Sequence, residues 1–312
     1  MSSTTRQAGR SLSLRRVAAG LTVAGAATLG YATLVEPRRI VLRQAQLKVL
    51  RDPKAPPLRL LHISDLHLWP AHDHLAAALR RFAAAEPQVV VATGDLLGHP
   101  DVIGQAVELL AELGRGRTAI AVLGSNDRYG PQPKNPFAYL RRLDGPVRPH
   151  GEPLDTTRLV AGLTAAGWHV IDNRAVRLET AAGVLDVRGV GDAHIGADDL
   201  AAVPWHPPAS DALVALGVTH APYRRVLDAF DRAGLDLALA GHTHGGQVRI
   251  PGIGALTANC DLPLQATRGV SWHGAGLRLH VSAGLGQSRY APLRFACRPE
   301  ATLLELIPHR PY

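Results

Sequence analysis

The chain has 312 residues, 46% of them hydrophobic, and two cysteines, enough apolar material for one sizeable α/β domain and too few thiols for a disulfide framework or a thiolate zinc knot. The formal net charge of +8 sits on residues 1–54, which hold ten Lys/Arg against two Asp/Glu; the remainder balances at 24 against 24. A domain-wide basic footprint for nucleic acid is therefore absent.

Within the basic arm, Arg6, Arg10, Arg15 and Arg16 precede Val17–Val35, a run of 19 uncharged residues rich in Ala, Gly, Leu and Val. That length spans a bilayer, so a signal-anchor helix is the preferred reading over a cleaved export signal or a merely apolar tail. Arg15-Arg16 resembles a twin-arginine export signal, although Leu14 and Val17-Ala18-Ala19 depart from its usual surroundings. Arg38, Arg39, Arg43, Lys48, Arg51 and Lys54 crowd the far side and leave sidedness open; a catalytic domain outside the cytoplasm is expected. The arm is taken as residues 1–54 and the domain as residues 55–312, beginning at the Ala55-Pro56-Pro57 loop. Pro-rich loops are also read at Gly130 to Pro136 and Pro204 to Pro208.

Beyond the arm, five short apolar segments read as buried strands: residues 58–64, 88–93, 118–123, 212–219 and 235–240. Residues 73–85, 101–113 and 222–233 have helical length, Ala/Leu-rich faces and Asp or Pro near their starts. Each strand is followed by residues of metal-ligand type: Asp65-Leu66-His67, Gly94-Asp95, Gly124-Ser125-Asn126-Asp127, His220, and Gly241-His242-Thr243-His244-Gly245. In open α/β sheets the carboxyl ends of strands line the ligand crevice, so these five ends converge on one place. Singly, a D-x-H or G-D block occurs by chance in many proteins; in order, at successive strand ends, the blocks carry weight.

Asp, Asn and His donors suit manganese, iron or zinc better than calcium. A site of two ions needs a shared carboxylate, and Asp95 is the candidate because Gly94 before it allows close backbone approach. Cys260 and Cys297 are read as two free thiols or one incidental bridge.

These blocks resemble the calcineurin-like metallophosphoesterases, whose hallmarks run D-x-H, G-D, G-N-H-[DE], H and G-H-x-H in that order. Four blocks match from Leu58 onward, and Gly241 to Pro251 and Pro292 to Glu300 look closest to bacterial membrane-associated phosphoesterases. The resemblance implies a four-layer α/β/β/α sandwich behind an N-terminal membrane-associated helix. It implies two divalent or mixed-valence ions (Mn, Fe or Zn) and hydrolysis of phosphodiesters, phosphomonoesters or pyrophosphates by attack of a metal-bridging hydroxide. Carried over, Asp65, His67 and His244 hold one ion, Asp95 bridges, and His220 and His242 hold the second.

The third block departs from the pattern, with Ser125 at the family's ligand Asn and Asn126 at its catalytic His. Either the register shifts and Asn126 offers its amide oxygen to the metal, the preferred reading, or Ser125 substitutes weakly and Asn126 bonds the phosphate. Asp127 then becomes a candidate proton donor if its pKa is raised. Arg128 and His194 are candidate substrate contacts, with Arg289 and Tyr290 behind them, while Asp192 is read as a turn cap. Trp69 and Pro70, after D-x-H, narrow the mouth and favour a lipid or aromatic leaving group. The expected partners are a phosphate ester, in one reading lipid-linked, and a membrane. The alternative is a tethered, non-catalytic metal- or phosphate-binding protein with a degenerate site.

Overall fold

In the computed structural model, residues 4–70, 72–132, 147 and 151–309 are described, with side chains from Arg16 onward. The predicted loop at Gly130 to Pro136 lies outside the described residues beyond Gln132. Helix α1 (Thr4–Gly30) continues through a π-helical turn (Tyr31–Val35) and a 3-10 turn (Glu36–Arg38), and Arg16–Arg38 is long and apolar enough to cross a membrane. Its Val17, Leu21, Val23, Leu29 and Leu34 are exposed.

The first sheet contains β1 (Val41–Leu50), β14 (Glu300–Pro308), β2 (Leu58–Ile63), β3 (Val89–Thr93), β4 (Thr118–Val122) and β5 (Trp168–Val170), in that spatial order. The second has β12 (Gly269–His273), β13 (Leu277–Val281), β9 (Leu237–Ala240), β8 (Ala212–Thr219), β7 (Gly183–Val190) and β6 (Arg174–Thr180). Strands β2 to β5 run parallel, as do β13, β9, β8 and β7.

Side-chain alternation explains how the sheets stack. In β2 and β3, Leu58, Leu60, Val89 and Val91 point inward and meet Val187, Leu216, Val218 and Leu239 of the second sheet. Leu61, Ile63, Val90 and Ala92 point outward, where Leu79 and Phe82 of α2 (Asp73–Ala83), Leu110 of α3 (Ile103–Gly114) and Leu159 of α4 (Thr156–Ala165) cover them. Over the second sheet lies α5 (Arg224–Arg232), whose Phe230 ring lies against Gly217, where a Cβ would come within 2.6 Å of it. The result is the four-layer α/β/β/α sandwich.

One sequence expectation needs correction. The domain does not begin at residue 55: residues 41–50 of the assigned arm form β1, the edge strand parallel to β14, and bury Leu47, Val49 and Leu50 between the sheets. The arm is also clasped at its exit, because Glu36 is buried and accepts the amides of Ala296 and Cys297 at 3.1 and 2.5 Å. A boundary read from charge composition missed this, since the outward-facing residues of an edge strand are free to be polar.

Candidate metal centre

The parallel strands β2, β3, β4, β8 and β9 all end on one side of the sandwich, and there the chain turns sharply. Asp65, His67, Asp95, His242 and His244 all have positive φ, from 40° to 66°. For side-chain-bearing residues that region costs about 1–3 kcal/mol each, and it persists only where the surroundings over-determine it. The turns are pinned to one another: Asp65 N donates to Gly94 O at 2.9 Å, His67 N to Asp95 O at 2.9 Å, and Gly241 N to His220 O at 2.8 Å. Glycine is required between them, since a Cβ at Gly94 would lie 2.4 Å from Gly124 N and one at Gly241 would lie 1.8 Å from Ser64 Oγ.

The strained turns aim their side chains at one another. Nε2 of His67 and Nε2 of His244 are 3.1 Å apart, and His244 Nε2 is 3.5 Å from Asp65 Oδ1. Asp95 lies between two sets of imidazoles, with Oδ2 at 3.5 Å from His67 Nε2 and Oδ1 at 3.6 Å from His220 Nε2. His242 Nδ1 faces His220 Nε2 at 3.3 Å. Two groups of ligand atoms, Asp65/His67/His244 and Asp65/Asp95/His220, each fall within 4.8 Å of one another, a spacing that could hold a cation. Asp65 belongs to both, so two carboxylates, not Asp95 alone, lie where the groups meet.

Each donor is oriented from behind. His220 Nδ1 gives its hydrogen to Thr93 O at 2.6 Å, so Nε2 is the nitrogen that faces Asp95. His242 is held through Nε2 by Asn259 O at 3.0 Å. Buried Arg294 places Nη2 3.1 Å from His244 Nδ1 while donating to Gly284 O and Gly286 O, and the Cys297 thiol donates to His244 O at 3.2 Å.

Asp65 is fixed by a directional chain across the sandwich. Ser64 Oγ donates to Asp65 Oδ2 at 2.5 Å and accepts from Thr93 Oγ1 at 2.7 Å. Thr93 Oγ1 must then accept from His62 Nε2 at 2.9 Å, so His62 Nδ1 accepts from His280 Nδ1 at 2.8 Å. His62 is on β2 and His280 on β13, so both sheets take part.

Electrostatics match the geometry. Burial raises Asp65 to about 6 and Asp192 to about 6. Burial opposes charge on His220, but Asp95, Asp192 and Asp65 outweigh it and raise its pKa to about 10. Four buried carboxylates, Asp65, Asp95, Asp127 and Asp192, thus crowd one region, and a lone imidazolium cannot balance them. Burial first, then His67 and Arg294, lowers His244 and keeps it a neutral nitrogen donor. Oxygen and nitrogen donors and excess negative charge fit bound metal cations.

The remaining sequence candidates are placed as follows. Asn126 lies against the ligands: its backbone N and Nδ2 donate to Asp95 Oδ1 and Oδ2 at 2.8 and 2.6 Å, so its contacts orient Asp95. Burial and Asp95 raise Asp127 to about 7, and it is held inside the loop, with Oδ1 accepting from Leu96 N and Leu97 N and Oδ2 from Gly124 N. Arg128 is ion-paired with Asp172, which also accepts Leu123 N. His194 packs its ring 4.2 Å from that of His242, with Nδ1 at 3.2 Å from the Tyr223 hydroxyl.

Asp192 caps its turn on His194 N. Trp69 is stacked under the Arg289 guanidinium and beside His99. Cys260 and Cys297 are buried thiols that form no disulfide. Missed from sequence were Ser64, Thr93, His62, His280, Asn259 and Arg294. Of these, His62 in β2 and His280 in β13, imidazoles among the buried aliphatic residues of a strand, carried a readable signal.

A family model described as calcineurin-like phosphoesterase matches residues 58–246. The phosphodiesterase YaeI of Escherichia coli (strain K12) is 28% identical over 93% of this chain and 97% of its own length. The uncharacterized metallophosphoesterase YkuE of Bacillus subtilis (strain 168) is 26% identical over 93% of each. Among solved structures, TT1561 of Thermus thermophilus aligns over 74% of this chain and 91% of its own, at 12% identity and a TM-score of 0.40.

Proposed function

The chain belongs to the calcineurin-like phosphoesterase family, and on that premise we propose that it is a binuclear-metal phosphoesterase tethered to a membrane by α1. One observation carries the reading: two ligand groups that share Asp65 are assembled from strained strand-end turns of both sheets. Asp65, His67 and His244 hold one ion, His220 and His242 the other, and Asp95 lies between them. Bound there, manganese, iron or zinc supplies an activated water and neutralises charge on the phosphoryl group.

The protein's own side chains do the rest. Asn126 keeps both Asp95 oxygens turned to the ligand groups, Asp127 clamps the loop that carries Asn126, and Arg294 and Asn259 hold His244 and His242 in place. With Asn126 where an imidazole acid is expected and Asp127 spent on amides, the site suits esters whose leaving group departs without a proton, such as aryl phosphates or pyrophosphates. The balanced charge of the residues after 54 supports a substrate other than nucleic acid, and the Arg15-Arg16 pair supports export of the domain.

The test is the purified full chain loaded with manganese, assayed on aryl phosphodiesters of graded leaving-group acidity, with bound metal measured in parallel. Two metal equivalents and a turnover that falls steeply as the leaving group becomes more basic are expected. Metal binding without hydrolysis would leave a tethered binding protein, and an equal rate across the series would restore a proton donor.

A further inference from the structure

The segment from Ile250 to Cys260 carries no charged residue, yet its large side chains face outward: Ile253 is 77% exposed, Leu256 47% and Ile250 41%. It is a built hairpin. Strand β10 (Arg249–Ile250) pairs antiparallel with β11 (Gly254–Ala255), and Ile253 N closes the turn on Ile250 O at 3.0 Å. Its base is seated on the metal-ligand loop, since Arg249 Nη1 donates to Gly245 O at 2.7 Å and a Cβ at Gly246 would come within 2.5 Å of Ala255 Cβ.

The place of this hairpin relative to α1 follows from one short segment. Arg294 N donates to Ala32 O at 2.8 Å and Ala296 N to Glu36 Oε2 at 3.1 Å, so these alternate residues face the end of the helix. Phe295 between them faces the other way: its N donates to Gln247 O at 3.1 Å and its O accepts from Arg249 N at 2.9 Å. Residues 294–296 are thus sandwiched between the helix end and β10, and two strand spacings separate these by about 10 Å. The exposed aliphatic tip and the exit of the apolar helix lie on one side of the molecule, with His244 bonded to both through Arg294 and Gly245.

We propose that the Ile250–Leu256 tip inserts into the surface of the bilayer that α1 enters, so that the metal centre works at that surface on phosphoesters carried by lipids. This rests on α1 being membrane-spanning and the site being hydrolytic. An uncharged, aliphatic turn beside a spanning helix meets the interfacial region, where each buried aliphatic side chain gains the transfer free energy that water denies it. Arg38 and Arg39, at the helix exit, suit the headgroup level.

The test uses the full chain reconstituted in phosphatidylcholine/phosphatidylglycerol vesicles. A polarity-sensitive dye on Ile253→Cys, with Glu179→Cys on the far edge strand as reference, is read for quenching by spin-labelled lipid. Quenching at 253 and none at 179 is expected; a water-like dye at 253, or one shielded but untouched by the lipid quencher as a second copy would leave it, overturns insertion. In the same vesicles the double variant Ile250→Asp, Ile253→Asp is assayed on membrane-embedded hexadecyl 4-nitrophenyl phosphate and on water-soluble bis(4-nitrophenyl) phosphate.

A loss of at least about tenfold on the embedded ester alone is expected, the equivalent of one aliphatic side chain's transfer. Equal change on both esters, or on neither, overturns the assignment. Failure of the unaltered protein on both esters removes the hydrolase reading and leaves the dye result standing on its own.

Discussion

The two sheets contribute different chemistry to the metal centre. From the first come the carboxylates and the amide, Asp65, Asp95 and Asn126, with one imidazole, His67; from the second come three imidazoles, His220, His242 and His244. The first side brings negative charge into a buried place, where burial works against ionisation. The second brings donors that serve best when neutral, and Arg294 and burial keep His244 so. Support differs in the same way: the Ser64 hydroxyl donates to Asp65 on the first side, whereas backbone carbonyls accept from His220 and His242 on the second. A cation is thus drawn by one sheet and shaped by the other.

That division is broken most severely from the charged side. Asp95→Ala removes oxygens aimed at both ligand groups, so loss of both metal equivalents and a fall in turnover of at least about 10²-fold are expected. His242→Ala should cost one equivalent only, and equal metal loss in the two variants, read by elemental analysis, would erase the contrast. Ser64→Ala is next in size: without the hydroxyl, Asp65 keeps only the amide of His242 as a donor, and metal affinity should weaken by about 10- to 100-fold with the fold intact. Unchanged affinity in a metal titration would show that Asp65 needs no such support.

The smallest effect concerns the pair that joins the sheets. Burial lowers His280 to about 4, below the value near 6.5 expected in an unfolded chain. The unfolded state therefore takes up the proton first, so this pair's contribution is intact above about 6.5 and is lost as pH falls toward about 4. His280→Asn should lessen the drop in Tm between those pH values by a few degrees relative to the unaltered chain. Parallel Tm profiles would exclude the pair as an acid-sensitive element.

The two regions also differ in how legible they are. Every ligand candidate stands at the end of an apolar run, where Asp or His has no packing reason to be, and so Asp65, His67, Asp95, His220, His242 and His244 could be picked out together, from their order along the chain. The supports could not be read in this way. Ser64, Thr93 and Arg294 are ordinary residues until the fold brings Arg294, fifty positions from His244, against its ring. Asp127 is legible in part, since its acidity was readable but the three amides that engage it were not. The edge strand β1 was hidden as well, because its partner β14 lies at the far end of the chain.

What the sequence determined by itself is the five central strands β2, β3, β4, β8 and β9 and the donors at their ends, because strand burial and turn chemistry are local properties of consecutive residues. Which nitrogen each imidazole presents, which carboxylates stand between the two groups, and how the N-terminal helix is clasped beside the ligand loop were decided by tertiary structure alone. Those depend on hydrogen bonds between residues far apart in the chain, and a hydrogen bond exists only where folding has set its two ends within about 3 Å of each other.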